Sequence, residues 1–480
     1  MNIALIIVVV YMLLLLFVAW ASTMYRRNKS AESFLLADKQ LSWPLVGVMI
    51  AGIAVGGSST VGIAQNAYTS GLSAGWYDVA WAAGAIIVGF ALASHMRQCE
   101  YDTINKMLEC VFGNAFSLVS TCIQVIINTV IIALQIIAGG TILTALMPDV
   151  FSLQLGIIVS AVMFGIISFV GGLMAASLSN VVNIAVIYIG LVIGVVATVF
   201  HFGGFETINA ALPVGMSGDG SHWYSLVSGM GMAAIVAWFV TMIIDAVPNG
   251  GVVQNIIAAR SPEDAKKGTI FAGILMIPAG FISAIFGIVA AAYFPGLESS
   301  AMALPSVVMQ LPSWVAGILL AGLWAADVST ATGLMMGVST MVSEDVIFKY
   351  FYKGVSRKLR LRISRIVCLA VIIIAYIAAT QVSNILNALM SALTLFAPYA
   401  ILMTALFLFP KTVKRSTGWL TFVFGMVTYV VVQLIVPEWR ILGQAIYTVT
   451  LMSLIGFGLS QLDKRPAPVE NLKKKKNNNN

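Results

Sequence analysis

Residues 50–60 read Ile-Ala-Gly-Ile-Ala-Val-Gly-Gly-Ser-Ser-Thr, and residues 244–253 read Ile-Asp-Ala-Val-Pro-Asn-Gly-Gly-Val-Val. Each is an apolar helical run interrupted in mid-course, by Gly56, Gly57, Ser58 and Ser59 in the first and by Pro248, Asn249, Gly250 and Gly251 in the second. A helix broken inside a bilayer frees carbonyls and amides that lipid cannot satisfy, so it survives only where it lines a polar cavity. Two such breaks, five spans apart, point to a solute and ion site near the midplane. Gly56, Gly57, Pro248, Gly250 and Gly251 are the expected bending points.

Working outward, the composition is that of a polytopic membrane protein. Of 480 residues, 60% are hydrophobic and 9% charged, against about a quarter charged in soluble domains. The mean hydropathy is +0.96. Apolar runs of about 20 residues, the length that crosses a bilayer, fall at 3–24, 43–67, 73–96, 115–147, 153–171, 176–201, 224–249, 269–295, 313–342, 361–382, 385–409, 416–436 and 441–461, thirteen in all. With the N-terminus outside, 25 of the 26 Lys and Arg fall in inside segments and only Arg440 falls outside. That distribution matches the positive-inside rule, so the net charge of +7 is topological. Binding of nucleic acid is excluded, because the cations are spread over loops rather than gathered with aromatics on one soluble face.

The first apolar run lacks the basic start and small-residue cleavage site of a signal peptide and is expected to stay as a span. Cys99, Cys110, Cys122 and Cys368 have no metal or redox spacing, and His95, His201 and His222 stand alone. No hydrolase, nucleotide-binding or metalloprotease pattern is present, so an enzyme and an organic cofactor are both excluded. The low-complexity KKKKNNNN at residues 473–480 reads as disordered.

Three carboxylates lie within spans: Asp78, Asp245 and Asp327. An acid at membrane depth costs about 2.5 to 3.5 kcal/mol or more and marks a functional site by default. Near the third, Ser329, Thr330 and Thr332 cluster among the small residues Ala325, Ala326 and Gly333. Hydroxyls beside freed carbonyls make an all-oxygen cage suited to a monovalent cation. Hydrogen bonding within the helix or across a packed interface accounts for the same hydroxyls, and spacing alone leaves both readings open.

The chain resembles the sodium:solute symporter family along most of its length. Ser30–Leu41 (SAESFLLADKQL) is similar to that family's first inside loop, and Gly56–Gly62 with Gly71 to its broken first core helix. Gly171–Ala175 (GGLMA), Val253-Gln254 with Ala265–Gly268, and Ala326–Asp345 resemble three further motifs. The resemblance implies an all-α fold with a LeuT-type core of five plus five inverted-repeat helices. The domains expected on it are 1–42 (first span and loop), a transport core at 43–409 (repeats 43–201 and 224–409), two peripheral spans at 410–462 and a disordered tail at 463–480.

It also implies a Na+ site built from the carbonyls of Gly52, Val55 and Ala326 and the hydroxyls of Ser329 and Thr330. Ser58, Ser59, Asp78, Asp245 and Asn249 are the expected solute-binding residues. Asn180, Thr332 and Gly333 stand where some relatives build a second Na+ site, so one Na+ per solute is expected. Asp245 replaces the aromatic residue of sugar-carrying relatives, and Asn255 replaces the usual Arg after Val-Gln. The expected activity is Na+-driven uptake of a small polar organic solute across the cell membrane by alternating access, with the C-terminus inside and no obligate protein partner. A proton-coupled carrier of the same fold and a membrane sensory domain are the alternatives.

Overall fold

The computed structural model describes the chain except residues 1, 2, 5, 12, 15, 16, 18–40, 100, 102, 214–220, 353–355, 436–444 and 473–480, and except the side chains of 167–183, 221, 329, 336, 344, 357, 358, 361 and 471. The expected loop motif at Ser30–Leu41 therefore lies outside the described residues apart from Leu41, and so do the side chains of Ser329, Asn180 and the GGLMA stretch.

The described residues are helical, with two isolated bridges, Leu41 to Ala259 and Lys414 to Pro466, in place of any sheet. The principal helices are α1 (Trp43–Ala54), α2 (Gly57–Ser70), α3 (Trp76–Ala91), α4 (Asn114–Leu146), α5 (Leu153–His201), α6 (Met232–Ala246), α7 (Gly250–Ala258) and α8 (Pro262–Tyr293). After them come α9 (Ser313–Thr340), α10 (Arg357–Ala379), α11 (Ile385–Leu393), α12 (Ala397–Leu408), α13 (Thr417–Ile435) and α14 (Ala445–Ser460).

Eight helices among the described residues are long and apolar enough to cross a membrane, or nine if the bent pair α6 and α7 counts as one crossing. That is coarser than the thirteen expected. Broken spans divide into short halves, and α1, residues Leu153–Ile166 and α14 are apolar but short.

Local sequence explains the ends. Pro44 in the first turn of α1 has the backbone angle a helix start requires and lacks only an amide that would be unpaired there anyway. Gly71 closes α2 at φ +62, a conformation glycine adopts without strain, and a Cβ there would strike the Trp223 backbone. A short helix at Ile104–Phe112 is capped by the Thr103 hydroxyl, which accepts from the Lys106 amide.

Contacts between distant segments sort the loops between two ends of the bundle. At one end the Arg260 amide donates to Leu41 O at 2.9 Å, Arg97 Nε donates to Ala259 O, and Lys349 pairs with Glu109 at 2.9 Å. At the other, Tyr68 Oη donates to Phe294 O at 2.8 Å, Tyr293 Oη to Phe202 O at 3.2 Å and Trp76 Nε1 to Leu226 O at 2.7 Å. The helical backbone of α5 runs 49 residues without interruption, more than twice what the roughly 30 Å hydrocarbon layer needs.

The tail expected to be disordered from residue 463 needs correction over its first part. The Ala467 amide donates to Val413 O at 3.1 Å and the Arg415 amide to Arg465 O at 3.1 Å. Leu472 is buried, and its carbonyl accepts from Cys99 Sγ at 3.7 Å. Apolar Ala467, Val469 and Leu472, interleaved with the charges, give this segment a face to pack. Residues 473–480 lie outside the described residues.

Candidate functional site

The first break falls at Val55 and Gly56. Val55 leaves the helix at φ −92, ψ 86, and Gly56 is extended at φ −125, ψ −177. In a continuous helix the Gly56 amide would bond the Gly52 carbonyl four residues back. Here it donates instead to Ser59 Oγ at 2.9 Å. The Ser59 hydroxyl donates to Gly56 O at 3.0 Å, and Thr60 Oγ1 does the same at 2.8 Å. Ser59 is thus a brace that holds the break open and deprives Gly52 of its helical partner. Ser58 and Ser59 are both buried, but only Ser58 keeps a hydroxyl outside this brace.

The second break is built differently. Pro248 has no amide to give to the Ile244 carbonyl, and α6 and α7 meet at 47°. Asn249 turns the corner: its Oδ1 accepts from the Gly251 and Val252 amides at 3.1 and 3.3 Å. Its Nδ2 donates to the two oxygens of Asp245 at 3.2 and 3.4 Å. Asn249 therefore caps α7 and orients Asp245 in one stroke. The two breaks are neighbours, since a Cβ on Gly251 would lie 2.6 Å from the Ile53 side chain in the last turn of α1.

The three acids sit around this junction. Asp78, Asp245 and Asp327 are each 1% exposed or less. Tyr77 is near enough to both Asp78 and Asp245 for their charges to act on its hydroxyl, and its ring packs edge-on against Trp238 at 5.9 Å. Asp78 lies against α8, where a Cβ on Gly280 would be 3.1 Å from its own Cβ. Asp78 Oδ1 has no hydrogen-bond partner among the described residues. Asp327 comes from α9 and reaches the first residue of α2, where its carboxylate atoms are the nearest that a Cβ on Gly57 would meet.

The expected Na+ ligands divide accordingly. Gly52 and Val55 lie on the last turn of α1 and at the break, with carbonyls that the end of the helix leaves without an amide four residues on. Ala326 and Thr330 are on α9, the helix that brings Asp327 to Gly57. Thr330 is half-buried, whereas the Ser329 side chain is not described. Thr332 is buried, and a Cβ at Gly333 would meet no atom within 4 Å.

Sequence reasoning missed two devices. Gln65 ties α2 to α11, donating to Ser383 O at 2.9 Å and accepting from the Ile385 amide at 2.9 Å. Asp264 accepts from the Trp43 amide at 3.1 Å, from Arg260 Nε at 2.7 Å and from Ser261 Oγ at 2.6 Å. It joins the start of α1 to the start of α8. The Arg260 hydrogen bond, then that of Ser261, hold the Asp264 carboxyl down at about 2. The Ser261-Pro262-Glu263-Asp264 start signal was legible, but its reach to Trp43, 221 residues away, was not.

A helical bundle in which two neighbouring broken helices surround buried acids defines a secondary carrier of the LeuT type. The chain belongs to the sodium:solute symporter family, whose model matches residues 34–426, and it is a membrane transporter rather than an enzyme. It is similar to the sodium/glucose cotransporter of Vibrio parahaemolyticus, 22% identical over 388 residues, 75% of this chain and 70% of that one. It is likewise similar to the sodium/proline symporter of Escherichia coli (strain K12), 23% identical over 394 residues, 78% and 75% of the two chains. Among solved structures it resembles the substrate-bound outward-open state of a Na+-coupled sialic acid symporter, with a TM-score of 0.75 at 17% identity over 97% of this chain and 98% of that one. It also resembles MhsT in complex with L-phenylalanine, with a TM-score of 0.52 at 13% identity over 88% and 98%. At such identities the solved structures speak for the fold.

Proposed function

We propose that the chain is a Na+-coupled symporter that takes up a small polar organic solute carrying a positive group, by alternating access across the cell membrane. The observation that supports this reading is the Ser59 brace, which takes the Gly56 amide at 2.9 Å and so leaves the Gly52 carbonyl without its helical partner, one turn before the Gly57 that Asp327 of α9 abuts. With Val55, Ala326, Ser329 and Thr330 that carbonyl would give Na+ five oxygens of low total charge. One Na+ per solute is proposed, since Asn180 and Gly333 offer no acid and no hydroxyl for a second site. Asp245, with Asp78 across Tyr77, is the proposed receptor for the positive group, and the buried Ser58 is proposed as a further solute-binding residue. Asn249 enters as the residue that aims Asp245.

The proposal includes thirteen spans, with the N-terminus outside and the C-terminus in the cytoplasm. The core is placed at 43–409, and no obligate protein partner is invoked. Proton coupling through Asp327 or Asp245 is the competing reading, favoured by the burial of both. The test is uptake by proteoliposomes at fixed pH with an inward gradient of Na+ or of K+, using the solute selected by thermal stabilisation of the purified protein. Uptake driven by Na+ alone supports the proposal. Equal uptake in K+ that follows an imposed proton gradient contradicts it.

A further inference from the structure

Gln65 stands beyond the first break, toward the far end of α2, and is 2% exposed. Its Nε2 donates to Ser383 O at 2.9 Å and to Ser300 Oγ at 3.2 Å, and its Oε1 accepts from the Ile385 amide at 2.9 Å. A carbonyl can only accept and an amide N–H only donate, so Ser383 and Ile385 between them fix which way the side-chain amide points. Ile385 opens α11, and its amide is one of those that a helix start leaves without a partner inside the helix. Asn384 caps the Asn387 amide, while the Ile385 amide is capped from another helix, by Gln65.

The same face of α2 packs on α11. Ser58, Gly62, Gln65 and Asn66 follow at i, i+4, i+7 and i+8, one stripe along the helix. A Cβ on Gly62 would come within 3.0 to 3.2 Å of Leu386 and Ile385, and Asn66 Nδ2 approaches Asn384 Oδ1 at 3.5 Å. The start of α11 therefore lies over the stripe that leads from the break to the end of the bundle opposite the basic loops, the outer end in the proposed orientation. Both partners have a joint at their inner ends. α2 meets α1 through the extended Gly56, and α11 continues into α12 through a 3-10 turn at Thr394–Phe396, a change of winding that often marks a hinge within a helix. Two short helices, each jointed at its inner end, are thus pinned together at the outer end by one buried side chain.

We propose that Gln65 is the clasp that holds the outer mouth of the solute path shut, and that its bonds to Ser300, Ser383 and Ile385 break and re-form in each transport cycle. Gln65 touches neither solute nor ion and acts through the position of α11. The proposal rests on the alternating-access reading and goes beyond it by assigning the residue that sets the balance between the two faces. Polar partners suit a contact that has to open, because water entering the mouth can take up each freed group.

The test is thiol labelling in membrane vesicles, with the full-length chain carrying Ser58→Cys and with Cys99, Cys110, Cys122 and Cys368 replaced by alanine. A membrane-impermeant sulfonated maleimide reaches one face in right-side-out vesicles and the other in inside-out vesicles. Ser58 is two turns inward of Gln65 on the same stripe, so a thiol there reacts from outside only when the mouth is open. Gln65→Ala should raise the outside rate about tenfold, the shift that loss of one net hydrogen bond brings to a two-state balance, without raising the inside rate. Gly62→Ala, whose Cβ would wedge α2 away from Leu386, should do the same with Gln65 intact, and it carries the test should Gln65→Ala fail to fold. A rise of equal size from both sides is local loosening and overturns the proposal. An outside rate unchanged in both variants, with the thiol still labelled from inside, overturns the clasp and leaves alternating access standing. A parent protein labelled equally fast from both sides overturns the clasp and the carrier reading together.

Discussion

At the scale of single residues, the informative side chains are polar groups that a bilayer protein would otherwise leave out. Asp245 shows why residue type was legible and role was not. Its burial could be expected from its place in an apolar run, because a carboxylate at membrane depth persists only for a reason. Its partner Asn249 stands four residues on, the spacing at which side chains meet on a helix, and the Asn249 amide still donates to the Asp245 carbonyl at 3.0 Å; what that spacing did not show is that the same side chain also caps α7. We expect Asp245→Asn to abolish uptake of a positively charged solute while leaving Na+ binding within about twofold, because the amide keeps the shape and the contact with Asn249 but not the charge. Uptake kinetics beside equilibrium Na+ binding check this, and normal transport by the variant would remove Asp245 from the site. Ser58 and Ser59, read alike from the sequence, separate in the structure. Three residues on from Gly56, Ser59 is where a side chain can close back on the turn, a local signal that was present in the sequence.

At the scale of elements, the two breaks have unlike causes. The second is chemical: Pro248 removes an amide, and Asn249 is among the side chains that cap a helix start well. The first contains no proline and is held by hydrogen bonds that Ser59 and Thr60 make to the Gly56 peptide. It follows that Ser59→Ala frees the Gly56 amide to return toward the Gly52 carbonyl. We expect this variant to raise the Na+ concentration for half-maximal binding about tenfold, a change of about 1.4 kcal/mol, although Ser59 is not itself an ion ligand. Sodium titration of the protein's thermal stability reads the effect, and an unchanged midpoint would show that the break does not depend on the brace. Gly-Gly-Ser-Ser marked the place of the break in the sequence. The direction in which each freed group points depended on α9 and α3, which pack across it from far along the chain.

At the scale of the whole molecule, the basic loops meet at one end of the bundle, where Asp264 links α1 to α8 through the Trp43 amide, and the strap ending at Leu472 covers Cys99. Asp264 titrates at about 2 in the folded protein, below the roughly 3.9 of an unfolded chain. A lowered value means that the link contributes stability that is fully present above pH 4 and is lost as the pH falls through about 2. Between pH 5 and 8 the link is therefore constant, and any pH dependence of uptake in that window originates elsewhere. Asp264→Asn should speed hydrogen exchange at Trp43 with no pH dependence of its own in that range. Protection equal to the parent's would show that the carboxylate does not latch this end. The positive-inside pattern gathers the basic loops on one side by counting loops alone. The latch and the strap were not legible, since each joins segments distant in sequence whose pairing depends on how the helices stack.

The central claim is that the first break and α9 together form a single Na+ site. Equilibrium binding of radioactive 22Na+ to the purified protein tests it most directly, in the parent, in Ser329→Ala and in Thr330→Ala. The account predicts saturable binding of one Na+ per chain, weakened about five- to hundredfold in each variant, as the loss of about 1 to 3 kcal/mol for an unsatisfied polar site requires. Binding of two Na+ per chain, or affinity unchanged in both variants, would contradict it.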